Sequence, residues 1–353
     1  MSALAPFALV PQERELIWGG HALVKRYGKH GSATATIGES WECFDGNAIA
    51  SGTFAGRTLA QLRMELGSAL MGPIDPAAPF PLLTKIIDAR QPLSVQVHPD
   101  DAYARDVEHQ PCGKTECWYV LEAEPDAKIV LGWNRDTTRE EYFERVRDGS
   151  LGELLREVPA RAGDVFHLPA GTMHAIGAGI VLFETQQTSD LTYRIFDYNR
   201  KGPDGNPRPL HVEKAADVLN YRASTGGALQ HLTYEQAGLT RTALVADAHF
   251  SVERITLQTH PCEIDLEGMP LVVFALKRSV RLAAGGVELR LQPYESAVVP
   301  AALGTLTVCS GGEEERAQII TSAPPASPDA LARRARNANV DPATITAFLA
   351  QFA

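Results

Sequence analysis

Cysteine is scarce in this 353-residue chain: five residues, Cys43, Cys112, Cys117, Cys262 and Cys309, scattered and odd in number. A small secreted disulfide scaffold carries a dense, even set, so that class is excluded and reduced thiols are expected. No second cysteine pair joins Cys112 and Cys117 to complete a zinc knuckle. Long apolar runs are missing too, and nothing approaches transmembrane length. Met1 to Pro11 has no basic start and is broken by Pro6 and Pro11, unlike a signal peptide. A soluble, cytoplasmic chain is the expectation. Positive charge is in deficit, 33 Lys and Arg against 43 Asp and Glu, for a net charge of −10. That argues against nucleic acid or an anionic membrane as partner, but a few focused cations can still hold a small anion. Phosphate-cradling glycine motifs are absent, so any phosphate must be met by side chains.

What is present is β-structure with a few helices. Ser94 to His98 alternates polar and apolar residues with Val at two positions, the period-two mark of a strand. Ser94, Gln96 and His98 therefore share one face. Glu116 opens a second strand, with Lys114 on its face and Cys117 on the other. His174 follows the turn Pro169-Ala170-Gly171, where a hairpin would return it toward the first strand. Two His, a Glu and a Gln form a mixed nitrogen and oxygen donor set, suited to Zn²⁺, Fe²⁺, Mn²⁺, Co²⁺ or Ni²⁺. No HExxH helix is present, so a barrel or sandwich must gather these strand positions. Each His alone is more often an ordinary polar residue; the joint pattern carries the reading.

Further along, Leu59, Leu62, Leu66 and Leu70 have helical spacing behind Thr58 as N-cap. Asp100 to Asp106 has room for a turn or two of helix. Thr138 to Val158 reads as helical, with Gly149 a possible division. Strands are expected at Leu82–Ile87, Ile129–Trp133, Val165–Leu168, Ile180–Thr185 and Leu191–Phe196, then a short helix from His211 to Val218. After a Ser/Thr/Gly-rich boundary near residues 221–229, seven short strands recur at regular spacing, which argues for a second antiparallel sandwich or barrel. Ala323 to Pro328 reads as a linker and residues 329–337 and 342–352 as two packing helices.

Gly163 to His174 resembles the second signature box of the cupin barrels, and Gln96 to Glu116 a stretched first box. More closely, the chain resembles the type I mannose-6-phosphate isomerases in their short bacterial form. The matching segments include Gly38-Glu39-Ser40-Trp41-Glu42, Leu93 to Asp101, Gly113 to Tyr119 and Ser189 to Tyr198. The resemblance implies a mainly β fold of two cupin-type β-barrels (double-stranded β-helix, or jelly roll) with a helical insertion at about 138–158 and C-terminal helices. Its domains are expected at 1–222, catalytic and metal-binding; 223–322, metal-free, since no His stands where His174 stands in the first; and 323–353, a helical tail.

The activity implied is metal-dependent interconversion of mannose 6-phosphate and fructose 6-phosphate by an enediol proton transfer. One Zn²⁺ would sit on Gln96, His98, Glu116 and His174. Arg194 matches the family's catalytic arginine; read from its strand alone, a salt bridge with Asp197 is the simpler role. Glu184, ten residues before Arg194, is the candidate base, with His167 and Asp197 as alternatives. Lys85, Ser94 and Lys114 match positions lining the phosphate end of the cleft, and Trp18 and Tyr193 are candidate substrate contacts. Ser94 and Lys114 gain support from their strand faces; Lys85 has none and could be a surface lysine. The loop Gly202 to Asn206 is expected over the cleft, with Arg200 or Lys201 assisting phosphate capture. The partner is a phosphosugar, without nucleic acid or membrane, in a monomer or weak homo-oligomer. Competing readings are an isomerase of another phosphosugar, a cupin oxygenase and a non-catalytic sugar-binding cupin. Cys43 to Asn47 departs from the family pattern, and the C-terminal half matches it only in strand rhythm.

Overall fold

The computed structural model describes residues 4–32, 34–202, 205–312, 316–324 and 328–352. Pro203 and Asp204 of the expected cleft loop, and residues 325–327 of the expected linker, lie outside that set. The chain is mainly β and divides into two compact units, one of residues 13–40 and 85–229, the other of residues 1–12, 41–84 and 230–353. Among the described residues no helix is long and apolar enough to cross a membrane.

The first unit holds a five-stranded antiparallel sheet in the order Tyr193–Phe196, Val95–Val97, His174–Ile176, Lys128–Trp133, Leu155–Pro159. Facing it, Val165–Leu168, Glu116–Ala123 and Ile180–Gln187 lead a six-stranded sheet continued by Leu82–Ala89, Gln12–Gly20 and Ile37–Cys43. Trp118, Val120, Leu131, Phe166, Ile176 and Leu182 fill the space between. The outer face of the five-stranded sheet is dry as well. Val95, Val97, Ala175 and Ile195 pack there beneath Tyr142, Leu151, Leu154, Ala215 and Leu219. This inverts the usual sense of a period-two strand. The apolar residues of Val95–Val97 point outward under helices, and Ser94, Gln96 and His98 point into the sandwich.

The helices stop where their caps say. Thr58 and Gln61 form a reciprocal capping box at the start of Leu59–Leu66. Thr138 accepts a bond from the backbone of Glu141 to open Arg139–Asp148, and Gly149 closes it with φ +79°, a left-handed conformation glycine adopts without strain. The helical reading of 138–158 is therefore too long. Leu151–Leu154 is a single 3-10 turn, and Leu155–Pro159 is a strand paired with Lys128–Trp133. Leu151, Leu154, Leu155 and Val158 have spacings of three and four that fit a helix equally well, so periodicity could not separate the two.

In the other unit an eight-stranded and a four-stranded sheet close on Leu239, Ile255, Ile264, Val273, Leu282 and Val299. Phe7–Val10, at the far end of the sequence, pairs with Ser296–Val299. Leu232–Gln236, Cys262–Asp265 and Gln318–Ala323 are strands that the sequence pattern did not mark. Two tail helices, Pro328–Asn337 and Pro342–Leu349, set Leu331, Ala335, Ile345 and Phe348 against Leu232, Tyr234 and Ala243.

Candidate metal and active site

Register builds the site. Gln96 lies opposite His174 on one neighbouring strand and opposite Arg194 on the other. Residues directly opposed across antiparallel strands share a face, so His174, Gln96 and Arg194 form one inward row. From the facing sheet, Glu116 and Trp118 stand opposite Gln186 and Glu184. His98, Glu116 and His174 converge, with donor atoms all within 4.8 Å of one another and each side chain buried. His98 Nε2 is 3.2 Å from Glu116 Oε1, and His174 Nε2 is 3.5 Å from Glu116 Oε2.

Backbone carbonyls decide which imidazole nitrogens are free. His98 Nδ1 donates to the Leu191 carbonyl at 2.7 Å, and His174 Nδ1 donates to the Thr172 carbonyl at 2.8 Å. A carbonyl oxygen only accepts, so each Nδ1 carries the proton and each Nε2 keeps its lone pair. Burial, reinforced by the charge of Lys114, pushes His98 down to about 3, and burial also lowers His174. Both rings are neutral at pH 7, the form that ligates metal. Glu116 is the reverse case. Burial alone would raise it, but the charge of Lys114 holds its carboxyl well below the usual range. Lys114 Nζ stands 2.6 Å from Glu116 Oε1, yet neither Glu116 oxygen has a hydrogen bond of acceptable geometry. An ionised, buried carboxylate without hydrogen bonds, facing two imidazole lone pairs, suits a divalent cation. Gln96 belongs beside this trio. Its Nε2 is 3.3 Å from His174 Nε2, and turning the amide would present its oxygen there instead. Ser94 Oγ sits 3.4 Å from the Gln96 amide oxygen.

A second buried cluster adjoins the first. Glu184 Oε1 accepts a 2.9 Å hydrogen bond from the Trp118 indole, and Oε2 lies 3.1 Å from Lys85 Nζ. Burial and the charge of Glu116 raise the Glu184 carboxyl, while Lys85, Lys114 and the indole bond oppose that rise. Lys85 stays charged because Glu184, Glu39 and Glu116 outweigh its burial. The surface-lysine alternative for Lys85 is thereby removed: it is 6% exposed and ion-paired.

Arg194 has no carboxylate partner among the described residues. Nη1 donates to the Pro209 carbonyl at 3.2 Å, and Nε is buried without a hydrogen bond. Its expected alternative, a pair with Asp197, does not form. Asp197 is taken by Arg208 at 2.6 and 2.7 Å and by Arg200. Those two guanidiniums also hold the Asp197 carboxyl below its ordinary value against the effect of burial, which weakens it as a base. Arg200 further donates to the Pro92 carbonyl at 2.7 Å, so its guanidinium is committed to the fold and not loose for phosphate capture. Arg208 went unmarked in the sequence, since no spacing rule links it to Asp197. His167 sits half-buried on a strand between buried neighbours. Trp18 is packed in the core beside Ile87 and Leu93, and the Tyr193 hydroxyl donates to Glu108 at 2.7 Å.

Comparison with known proteins points to one family. Residues 7–145 match the family profile of phosphomannose isomerase type I, catalytic domain. A mannose-6-phosphate isomerase of Streptococcus mutans is 41% identical over 251 residues, covering 70% of this chain and 77% of the relative. The Bacillus subtilis mannose-6-phosphate isomerase ManA is 42% identical over 257 residues, 71% of this chain and 79% of its own length. A crystal structure of mannose 6-phosphate isomerase from Bacillus subtilis superposes with a TM-score of 0.82 at 31% identity, covering 90% of this chain and 99% of that one. A zinc-bound mannose 6-phosphate isomerase structure shares the fold, with a TM-score of 0.71 at 15% identity over 92% of this chain and 100% of the other.

Proposed function

Because the chain belongs to the type I mannose-6-phosphate isomerase family of metal-dependent aldose–ketose isomerases, we propose that its unit of residues 13–40 and 85–229 carries out that reaction. Mannose 6-phosphate and fructose 6-phosphate are interconverted by moving one proton between C1 and C2 through an enediol. The observation that carries this reading is the buried His98–Glu116–His174 trio, its carboxylate without hydrogen bonds, with Arg194, which has no carboxylate partner among the described residues, on the strand opposite Gln96.

His98, Glu116 and His174 would hold zinc, with the Gln96 amide oxygen as fourth donor. Such an ion, when bound, supplies Lewis-acid polarisation of the two reacting oxygens. Glu184 takes the proton from one carbon and returns it to the other; a buried carboxyl raised toward working pH suits that exchange. Arg194 stays charged despite burial and offers a planar fork to a developing oxyanion or to the phosphate. Lys85 and Lys114 neutralise Glu184 and Glu116 and, with Ser94, donate toward substrate. An oxygenase would leave these cations without a task. The five free cysteines fit a reducing, cytoplasmic setting.

The test is a coupled isomerase assay on mannose 6-phosphate before and after chelation, with metal add-back. Turnover lost to chelator and restored by zinc is expected; turnover indifferent to chelator sinks the metal assignment, and none with any divalent metal sinks the activity.

A further inference from the structure

Trp118 is buried at 1% exposure, two residues after Glu116 and on the same inward face. Its register partner is Glu184. An indole N–H donates and cannot accept. Here it donates at 2.9 Å to Glu184 Oε1, within a site where both residues are buried. A core tryptophan commonly spends its N–H on a backbone carbonyl, as Trp133 does on Asn220 at 2.7 Å. Trp118 spends it on a carboxylate, a charge-assisted bond that fixes orientation as well as position. The consequence falls on the other oxygen. Oε2 faces Lys85 at 3.1 Å and has no hydrogen bond of acceptable geometry. The two oxygens of Glu184 are thus held differently: Oε1 by the directional indole bond, Oε2 by the charge of Lys85. The same indole meets the His174 ring edge-on, centroids 5.4 Å apart at 78°. One side chain therefore touches both the candidate base and a candidate metal ligand.

We propose that Trp118 is a positioning residue for the proton transfer, anchoring Glu184 Oε1 so that Oε2 is the oxygen that meets the substrate carbon. This rests on the reading of Glu184 as the base. Trp118 itself touches no reacting atom.

The test compares Trp118→Phe, Glu184→Gln and the double variant for kcat, KM and zinc content. Trp118→Phe keeps an aromatic ring beside His174 and removes the N–H together with part of the ring volume, so zinc content and KM report whether the smaller ring disturbs the site. A fall in kcat of roughly 10- to 100-fold is expected, by analogy with the loss of outer partners that orient metal ligands. KM and zinc content should stay within about twofold, since a kcat-only loss marks an interaction made in the transition state. In the Glu184→Gln background the second substitution should cost nothing further, because Trp118 acts only through that carboxylate. A Trp118→Phe enzyme with wild-type kcat, one that loses its zinc, or losses that multiply in the double variant each overturn the proposal. An active Glu184→Gln enzyme instead rejects Glu184 as base, whereas an inactive one beside a fully active Trp118→Phe rejects the positioning alone. Should Trp118→Phe fail to fold, indole ¹H–¹⁵N resonances decide. Of the four tryptophans, the Trp118 resonance should move on Glu184→Gln; four unmoved resonances contradict the bond.

Discussion

His98 and His174 look alike in the sequence to any surface histidine; what distinguishes them is what holds their other nitrogen. Alternation from Ser94 to His98 was enough to align Gln96 and His98 on one face. The Leu191 and Thr172 carbonyls that set the tautomers were not legible, because any residue type supplies a carbonyl. Lys85 was illegible for a different reason. Every residue of Leu82–Ala89 is buried, so the strand shows no polar phase from which an inward lysine could be read. At this scale the account separates binding from turnover. His174→Ala should lose both bound zinc and activity, since it removes one of three converging donors. Arg194→Ala should keep stoichiometric zinc and lose kcat, because the guanidinium faces no ligand in that trio. Metal analysis beside steady-state kinetics checks both, and an Arg194→Ala enzyme with normal kcat removes Arg194 from the mechanism.

Elements were legible where their ends carry chemistry. Thr58, Asp100 and Thr138 each accept a bond from the backbone N–H three residues on, as N-caps do. Thr58→Ala removes one half of a capping box and should destabilise its unit by about 1 kcal/mol, read as a lowered denaturant midpoint at unchanged slope. No change in midpoint would mean that Leu59 and Leu62, fully buried, hold the helix unaided. Elements were illegible where pattern is ambiguous or pairing remote. Leu155–Pro159 mimicked a helix, and Phe7–Val10 has its partner near residue 298. Nothing local in either stretch announces that distant strand.

On the scale of the whole molecule, two cores divide the work, and their chemical sensitivities should differ. In the unit without the site, Glu253 is gripped by Arg241 and by Arg334 of the tail, with Tyr234 donating to it at 2.9 Å. Burial would raise its carboxyl, but the two guanidinium charges overcome that and hold it at about 2, below its ordinary value of 4.5. A depressed carboxyl stabilises the fold above its unfolded value, and that stability is lost as pH falls from about 4.5 toward 2. Glu253→Gln should therefore melt well below wild type at pH 7, by an equivalent of about 3–5 kcal/mol for breaking a buried pair. The gap should narrow as pH approaches 2. A gap that is constant with pH, or absent at pH 7, contradicts the assignment. The other unit should answer to metal instead, its thermal transition dropping on chelation and recovering with zinc, because a ligand held only by the folded state stabilises it. The most direct test of the central claim is an anomalous difference map at the zinc edge from crystals grown with the metal. One peak is expected, between His98 Nε2, the Glu116 carboxylate and His174 Nε2. A map with no density among those three side chains contradicts it.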